Sequence, residues 1–420
     1  MPTSILSFLG PIAITKARAF STGPLSRSAA AALLLAVAAG VAAAQTASRT
    51  PATGAAAAPA SAAAAVVIGA GASFPGLVYT AWSAGYGSER GQSVRYTASG
   101  SGDGVAQIAA RSVDFGATDS PLSPTELARS RLVQFPTMAG AIVPVSNGVV
   151  ATGGAPLRLT GALLAALFAG DIVYWDDARI AAANPGLALP HLRVVRVVRA
   201  DASGSTEILT RYLAQQSPGF ATAVGAGKTV KWSAGDTAAA GTALVTARGN
   251  DGVASAVKAT PGAIGYTSYD RVLRDALAPV ALKNRAGVYV RPSEPAIQAA
   301  VRASDLRRSD TMTASLIDLD GRDVWPLVDL TYVLLDAEPP SAARASASAQ
   351  FFYWAFLKGD VLVKGTGFAA LPTEVQARVV RRLADIKPRD GKVELSRQDR
   401  GMPLAPAADT AGAAAAAGAG

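Results

Sequence analysis

Three short stretches place glycine beside hydroxyl residues just ahead of an apolar helical pattern: Gly69–Pro75 (GAGASFP), Ser99–Gly104 (SGSGDG) and Arg199–Thr206 (RADASGST). A helix start leaves unpaired N–H donors and partial positive charge, so each turn suits an anion. Arg199 stands ahead of the third turn, and its guanidinium forms a fork that matches two oxygens of an oxyanion. One such turn is ordinary in αβ proteins. Three, one of them with an arginine, point to an anion held beyond the carboxyl ends of strands.

Other chemistry is excluded by composition. The chain has 420 residues, no cysteine and one histidine, His191. Disulfides, thiolate metal sites, iron–sulfur clusters and cysteine nucleophiles are therefore absent, and a multi-histidine metal site cannot form. His191 lies between Pro190 and Leu192, away from any acid–nucleophile pattern, and reads as a loop residue. The run Val66–Gly71 begins like a dinucleotide-binding fingerprint, but Phe74 stands where the third glycine must allow close helix packing. No cofactor is expected. The net charge of +9 falls to +6 without Lys16, Arg18 and Arg27, a mild balance that suits a small anionic ligand without demanding one, and no basic run resembles a nucleic-acid surface.

The elements that would position these turns follow from periodicity. Val66–Ile68, Val94–Thr97 and Val194–Val198 read as strands. Behind the turns, Leu77, Val78, Ala81, Trp82 and Tyr86 recur at helical spacing, as do Val105, Ile108 and Ala109, and Ile208, Leu209, Tyr212 and Leu213. Ser73 is of the type that caps a helix, and Pro75 fits a first helical turn. The five tryptophans are scattered and read as core residues, and Glu374–Ile386 reads as a helix with a solvated arginine face.

The ends differ in character. Residues 1–44 carry Lys16, Arg18 and Arg27 without an acid, then an apolar run Ala29–Val41 and small residues before Gln45, the pattern of a cleaved secretory signal peptide. Residues 45–65 read as an Ala/Pro-rich linker and 393–420 as a low-complexity tail. The segment Ser233–Arg248 reads as a surface loop.

Between those ends the chain resembles the periplasmic phosphate-binding proteins of bacterial ABC phosphate-uptake systems. The matching pieces include GAGASFP, Gly100-Ser101, Val113–Ser123 (VDFGATDSPLS), Gln134–Thr137 (QFPT), Tyr174–Asp177 (YWDD), Asn184–Leu187 (NPGL), Val198–Ser205 (VRADASGS), Asn250–Gly252 (NDG), Pro261–Tyr266 (PGAIGY), Val324–Pro326 (VWP) and Leu371-Pro372. In order and spacing they cover Val66–Lys392.

The resemblance implies an α/β, two-lobed periplasmic binding protein of type II, with the ligand in the interlobe cleft and two crossing segments. Lobe 1 would combine residues 66–141 with 328–392, and lobe 2 would be 142–327. It implies a monomer in the periplasm that delivers inorganic phosphate to the permease subunits of an ABC transporter, with no catalytic residue and no metal. By motif, Ser73, Phe74, Ser101, Asp119, Arg199, Ser203, Gly204 and Ser205 would bind phosphate, and Asp201 would hold the Arg199 guanidinium.

Asp119 is the informative position. A carboxylate beside an anion is repulsive unless the anion has a proton to donate, which phosphate has near neutral pH and sulfate lacks. Capping of the Ser120-Pro121 turn is the plainer use of Asp119. Binding of another oxyanion such as sulfate or molybdate, or a secreted phosphatase, are the alternative functions. This sequence departs from the family pattern at Ser73 and Ser205, where threonine is usual, at Ala202, where glycine is usual, and at Asp103, an extra acid that reads as a solvent-facing residue of the helix's first turn.

Overall fold

The computed structural model describes residues 66–149, 154–232 and 243–395. The expected signal peptide and linker, and all but the first residues of the expected tail, lie outside the described residues.

Alternating β-branched runs and amphipathic segments build a mixed α/β fold around one main sheet. Its strands are β1 (Val67–Gly71), β2 (Val94–Ala98), β3 (Phe115–Thr118), β4 (Leu132–Ser146), β5 (Val195–Arg199), β6 (Ala243–Ala247), β7 (Ala263–Ser268) and β8 (Val328–Asp336). The order across the sheet is β2-β1-β3-β8-β4-β7-β5-β6, and two short strands, Phe368–Ala369 and Ala278–Pro279, add to β4. β1 runs parallel to β2 and β3, and β5 runs parallel to β6 and β7, whereas β4 and β8 are antiparallel to their neighbours.

β4 joins the two arms of this sheet. Its first part, up to Ala141, pairs with β8, and its last part, from Ile142, pairs with β7. At the changeover the Ile142 N–H donates to the Leu327 carbonyl (2.9 Å), and the Trp325 indole N–H donates to the Ile142 carbonyl (3.1 Å). The chain therefore passes between the arms at two adjacent points, 141–142 and 327–328.

Helices cover both arms: α1 (Gly76–Arg90), α2 (Ser101–Ala109), α3 (Pro124–Ser130), α4 (Gly204–Gln216), α5 (Gly249–Ala259), α6 (Ala342–Lys358) and α7 (Thr373–Ala384). Tyr79 and Trp82 of α1 and Phe351 and Phe352 of α6 meet Phe115 of β3 in a buried aromatic cluster, so packing and not propensity holds these helices on the sheet. All five tryptophans are buried.

Two expectations need correction. Part of Ser233–Arg248 is not a loop: Ala243–Val245–Ala247 pair in register with Val195–Val197–Arg199, making β6 an edge strand, while 233–242 lie outside the described residues. Ser73 does not cap α1. The N-cap position is Pro75 without a side-chain cap, because the Ser73 hydroxyl is engaged elsewhere.

Candidate functional site

Strands β1, β2, β5 and β6 each end in a turn that starts a helix, and β3 ends at Thr118 beside Asp119. Being parallel within each arm, these strands aim their carboxyl ends, and hence the helix N-termini, the same way. The turns from the two arms touch. Gly102 N–H, on the first turn of α2, donates to the Ala202 carbonyl ahead of α4 (3.1 Å).

Ser101 links the two arms. Its Oγ donates to Asp119 Oδ2 (3.3 Å) and accepts from the N–H groups of Asp119 and Gly204 (both 3.2 Å). The other Asp119 oxygen, Oδ1, accepts from Thr331 Oγ1 of β8 (2.8 Å). Gly204 needs to be glycine here, since a methyl group on it would stand 2.4 Å from Asp119 Cβ.

Arg199 is the last residue of β5 and is 7 % exposed. Its Nε donates to Asp201 Oδ1 (2.8 Å) and its Nη2 to Asp201 Oδ2, which holds the guanidinium plane and leaves Nη1 for another acceptor. Asp201 Oδ1 also accepts from Gly249 N–H at the start of α5 (3.0 Å). Gly100, in the left-handed region at φ 111°, lies directly against Asp201, where a methyl group would stand 2.6 Å from Oδ2. From the first turn, Ser73 Oγ accepts from Asn250 N–H (3.1 Å), joining β1–α1 to the start of α5.

At α4, Ser203 Oγ caps the helix by accepting from Thr206 N–H (3.2 Å). The Ser205 hydroxyl is buried without a hydrogen-bond partner among the described residues. The backbone N–H groups of Ser73, Phe74, Ser101 and Ser205 likewise carry no hydrogen bond there. Buried donors are normally satisfied. Phe74 itself is buried, edge-on to Phe368, so only its main chain is left to face this place.

Charge at the site is shaped by burial. Burial raises the Asp119 carboxyl to about 6, against the lowering influence of the Thr331 hydrogen bond, the Arg199 charge, the Ser101 hydrogen bond and the Lys228 charge. Burial also acts to raise Asp201, but the Arg199 hydrogen bond and charge and the Gly249 N–H outweigh it and hold this carboxyl below its ordinary value. Two neighbouring aspartates are thereby given different tasks: Asp201 belongs to Arg199, and Asp119 faces the contact between the arms.

The plainer use of Asp119 is taken by its neighbour. Thr118 Oγ1 accepts from Ser120 N–H (3.2 Å) and donates to the Ser120 carbonyl (2.9 Å), so Thr118 closes that turn. Asp103 is exposed and accepts from Gln107 Nε2, so it adds no second carboxylate to the centre. His191 is exposed, with Nδ1 2.8 Å from Asp176 Oδ2 and its ring stacked on Tyr174. Among the described residues no three acids or histidines cluster as metal ligands.

All nine residues singled out from the sequence therefore lie on turns that meet at the junction of the arms. Four more residues at this junction were not among them, Asn250 having been noted only within the NDG match. Gly249 and Asn250 form a further strand–glycine–helix start, legible in principle from Ala243–Gly249 had the strand been recognised. Thr331 and Lys228 carry no local signal, for their bearing on Asp119 arises only from tertiary packing.

Comparison with known proteins gives a consistent result. The family model described as "PBP superfamily domain" matches residues 54–357. The phosphate-binding protein PstS of Xylella fastidiosa is 36% identical over 311 residues, covering 74% of this chain and 83% of the relative. PstS of Pasteurella multocida is 36% identical over 325 residues, covering 77% and 92%. Among solved structures, a high affinity periplasmic phosphate-binding protein bound with phosphate superposes with a TM-score of 0.58 at 22% identity, covering 77% of this chain and 99% of that one.

Proposed function

The chain belongs to the PstS phosphate-binding proteins of the PBP superfamily, and from that membership we propose that it captures inorganic phosphate in the periplasm and delivers it to the permease subunits of an ABC transporter. The observation that carries this reading is the convergence of unpaired donors, with Arg199 and Asp119 beside them, at the contact between the arms. A tetrahedral oxyanion needs many donors at one point, and helix N-termini supply them without metal or cofactor.

In this reading Arg199 offers Nη1 to the anion. The hydroxyls of Ser73, Ser101, Ser203 and Ser205 and the N–H groups of Phe74 and Gly204 share the remaining oxygens. Binding replaces some of the direct contacts between the arms, including those of Ser101 and Ser73. Asp119 is ionised above about pH 6 and accepts the proton that phosphate retains. Sulfate meets the same carboxylate with no proton to give, and is refused.

The arms act as two lobes, residues 66–141 with 328–392 and residues 142–327. The two crossings at 141–142 and 327–328 form the hinge, and closure over phosphate excludes water and alters the surface offered to the permease. The protein works as a monomer and makes no covalent step. Thermal-shift scans with phosphate and with sulfate, beside an assay on a chromogenic phosphate ester, test this. The expected result is stabilisation by phosphate alone and no turnover. Stabilisation by sulfate to the same degree, or ester hydrolysis, would overturn it.

A further inference from the structure

A second carboxyl lies buried behind Asp119 and is not explained by anion contact. Asp329 is the second residue of β8 and is 4 % exposed. Its Oδ1 accepts from Leu330 N–H (2.8 Å), and its Oδ2 has no hydrogen-bond partner among the described residues. Successive side chains of a strand alternate between faces, so Asp329 and Thr331 share one face of β8, about 7 Å apart along the strand. Both precede the register shift that follows Thr331, so the alternation holds between them. Thr331 donates to Asp119, which places the two carboxyls on one side of the strand with a threonine between them.

An unpaired carboxylate in such a position is costly, whereas a carboxylic acid is tolerated. Burial, reinforced by the Asp119 charge, raises Asp329 well above the ordinary carboxylate range, and the Leu330 N–H only partly opposes this. The other groups that face it are Glu207 and Arg211 of α4, which pair with each other, and Tyr332 of β8. Arg199 and Lys228 act on Asp119. Asp329 also borders a cleft of about 310 Å³ lined by Pro121, Ile208, Arg211 and Thr313, which gives protons a path to solvent.

We infer that Asp329 is an affinity-determining residue that acts through Thr331 and Asp119: neutral, it leaves the negative charge at the site to Asp119 alone, and ionised, it weakens phosphate binding. The inference rests on the phosphate reading above. A unit charge about 7–10 Å away, at the effective dielectric of about 20 that fits protein sites, changes binding by roughly 15- to 60-fold unscreened, and by on the order of tenfold once salt and the open cleft screen it. Phosphate affinity of the natural protein should therefore decline by about that factor as Asp329 ionises with rising pH, beyond what phosphate and the basic residues alone dictate.

The test is calorimetric titration of phosphate into the natural protein, Asp329→Asn and Asp329→Leu from about pH 6 to about pH 9. Both variants lack the titrating group, and either one that folds suffices. The expected result is similar affinity at the acid end and a divergence of on the order of tenfold at the alkaline end, with the variants binding more tightly. Melting temperatures should diverge in the same sense: a raised carboxyl contributes stability below its unfolded value that is lost as pH rises through its folded value. Parallel affinity profiles would overturn this inference alone. Absence of phosphate binding by the natural protein at neutral pH would overturn the phosphate reading, and this inference with it.

Discussion

Gly204→Ala separates closure of the site from stability of the fold. Gly204 opens α4 on one arm, and its added methyl would stand 2.4 Å from Cβ, 2.9 Å from Cα and 3.0 Å from the carbonyl carbon of Asp119 on the other. Two of these atoms are backbone, so no side-chain rotation relieves the clash. Overpacking of this kind costs about 1–3 kcal/mol, which corresponds to roughly a 5- to 150-fold loss of phosphate affinity. On the hinge reading proposed above, the cost is confined to the closed state, because opening would part Gly204 from Asp119. Alanine at the start of a helix otherwise matches or improves on glycine. Ligand-free melting should therefore stay level or rise while affinity falls. Calorimetry and thermal melts of the same preparations read both. A lowered ligand-free melting temperature with affinity changed by less than about threefold would refute the idea that this contact belongs to closure.

Two further outcomes follow from the same geometry. Asp119→Asn removes an acceptor for the phosphate proton but also a charge that repels the anion, so phosphate affinity should fall modestly. Discrimination against sulfate, measured by competition titration, should narrow much more. Arg111 donates to the carbonyls of Ile108, Ala109, Ser130 and Arg131 and to Asp336, tying the ends of α2 and α3 to β8. Arg111→Ala should therefore lower stability by about 1–3 kcal/mol in denaturant titrations while leaving phosphate affinity within about twofold.

The fold class and the family were legible because both rest on local signals. β-branched runs, glycine turns and helical periodicity recur with the family's spacing over most of the chain. The turn residues were legible for the same reason, since glycine and serine before an apolar helix state their own geometry. What escaped was tertiary. Ser73 looks like a helix cap, yet its hydroxyl is taken by Asn250 from the other arm. Asp119 looks like a turn residue, yet Thr118 does that work. β4 is a single strand of 15 residues, although Pro136, Gly140 and Pro144 break its pattern into pieces. It persists because nearly all of it is buried and each part has a partner strand, β8 up to Ala141 and β7 from Ile142. Asp329 and Thr331 sit in an apolar run whose sequence says only that it is buried. Their relation to Asp119 depends on β8 lying between β3 and β4.

The most direct test of the central claim is an equilibrium titration of phosphate into protein first freed of any retained anion, with Arg199→Ala run in parallel. The expected result is one phosphate per chain, no competing signal from sulfate, and an affinity reduced in Arg199→Ala by about 2–5 kcal/mol, or roughly 30- to several-thousand-fold. Phosphate binding that survives Arg199→Ala with less than about a threefold change would place the anion elsewhere, and equal binding of sulfate would contradict the account.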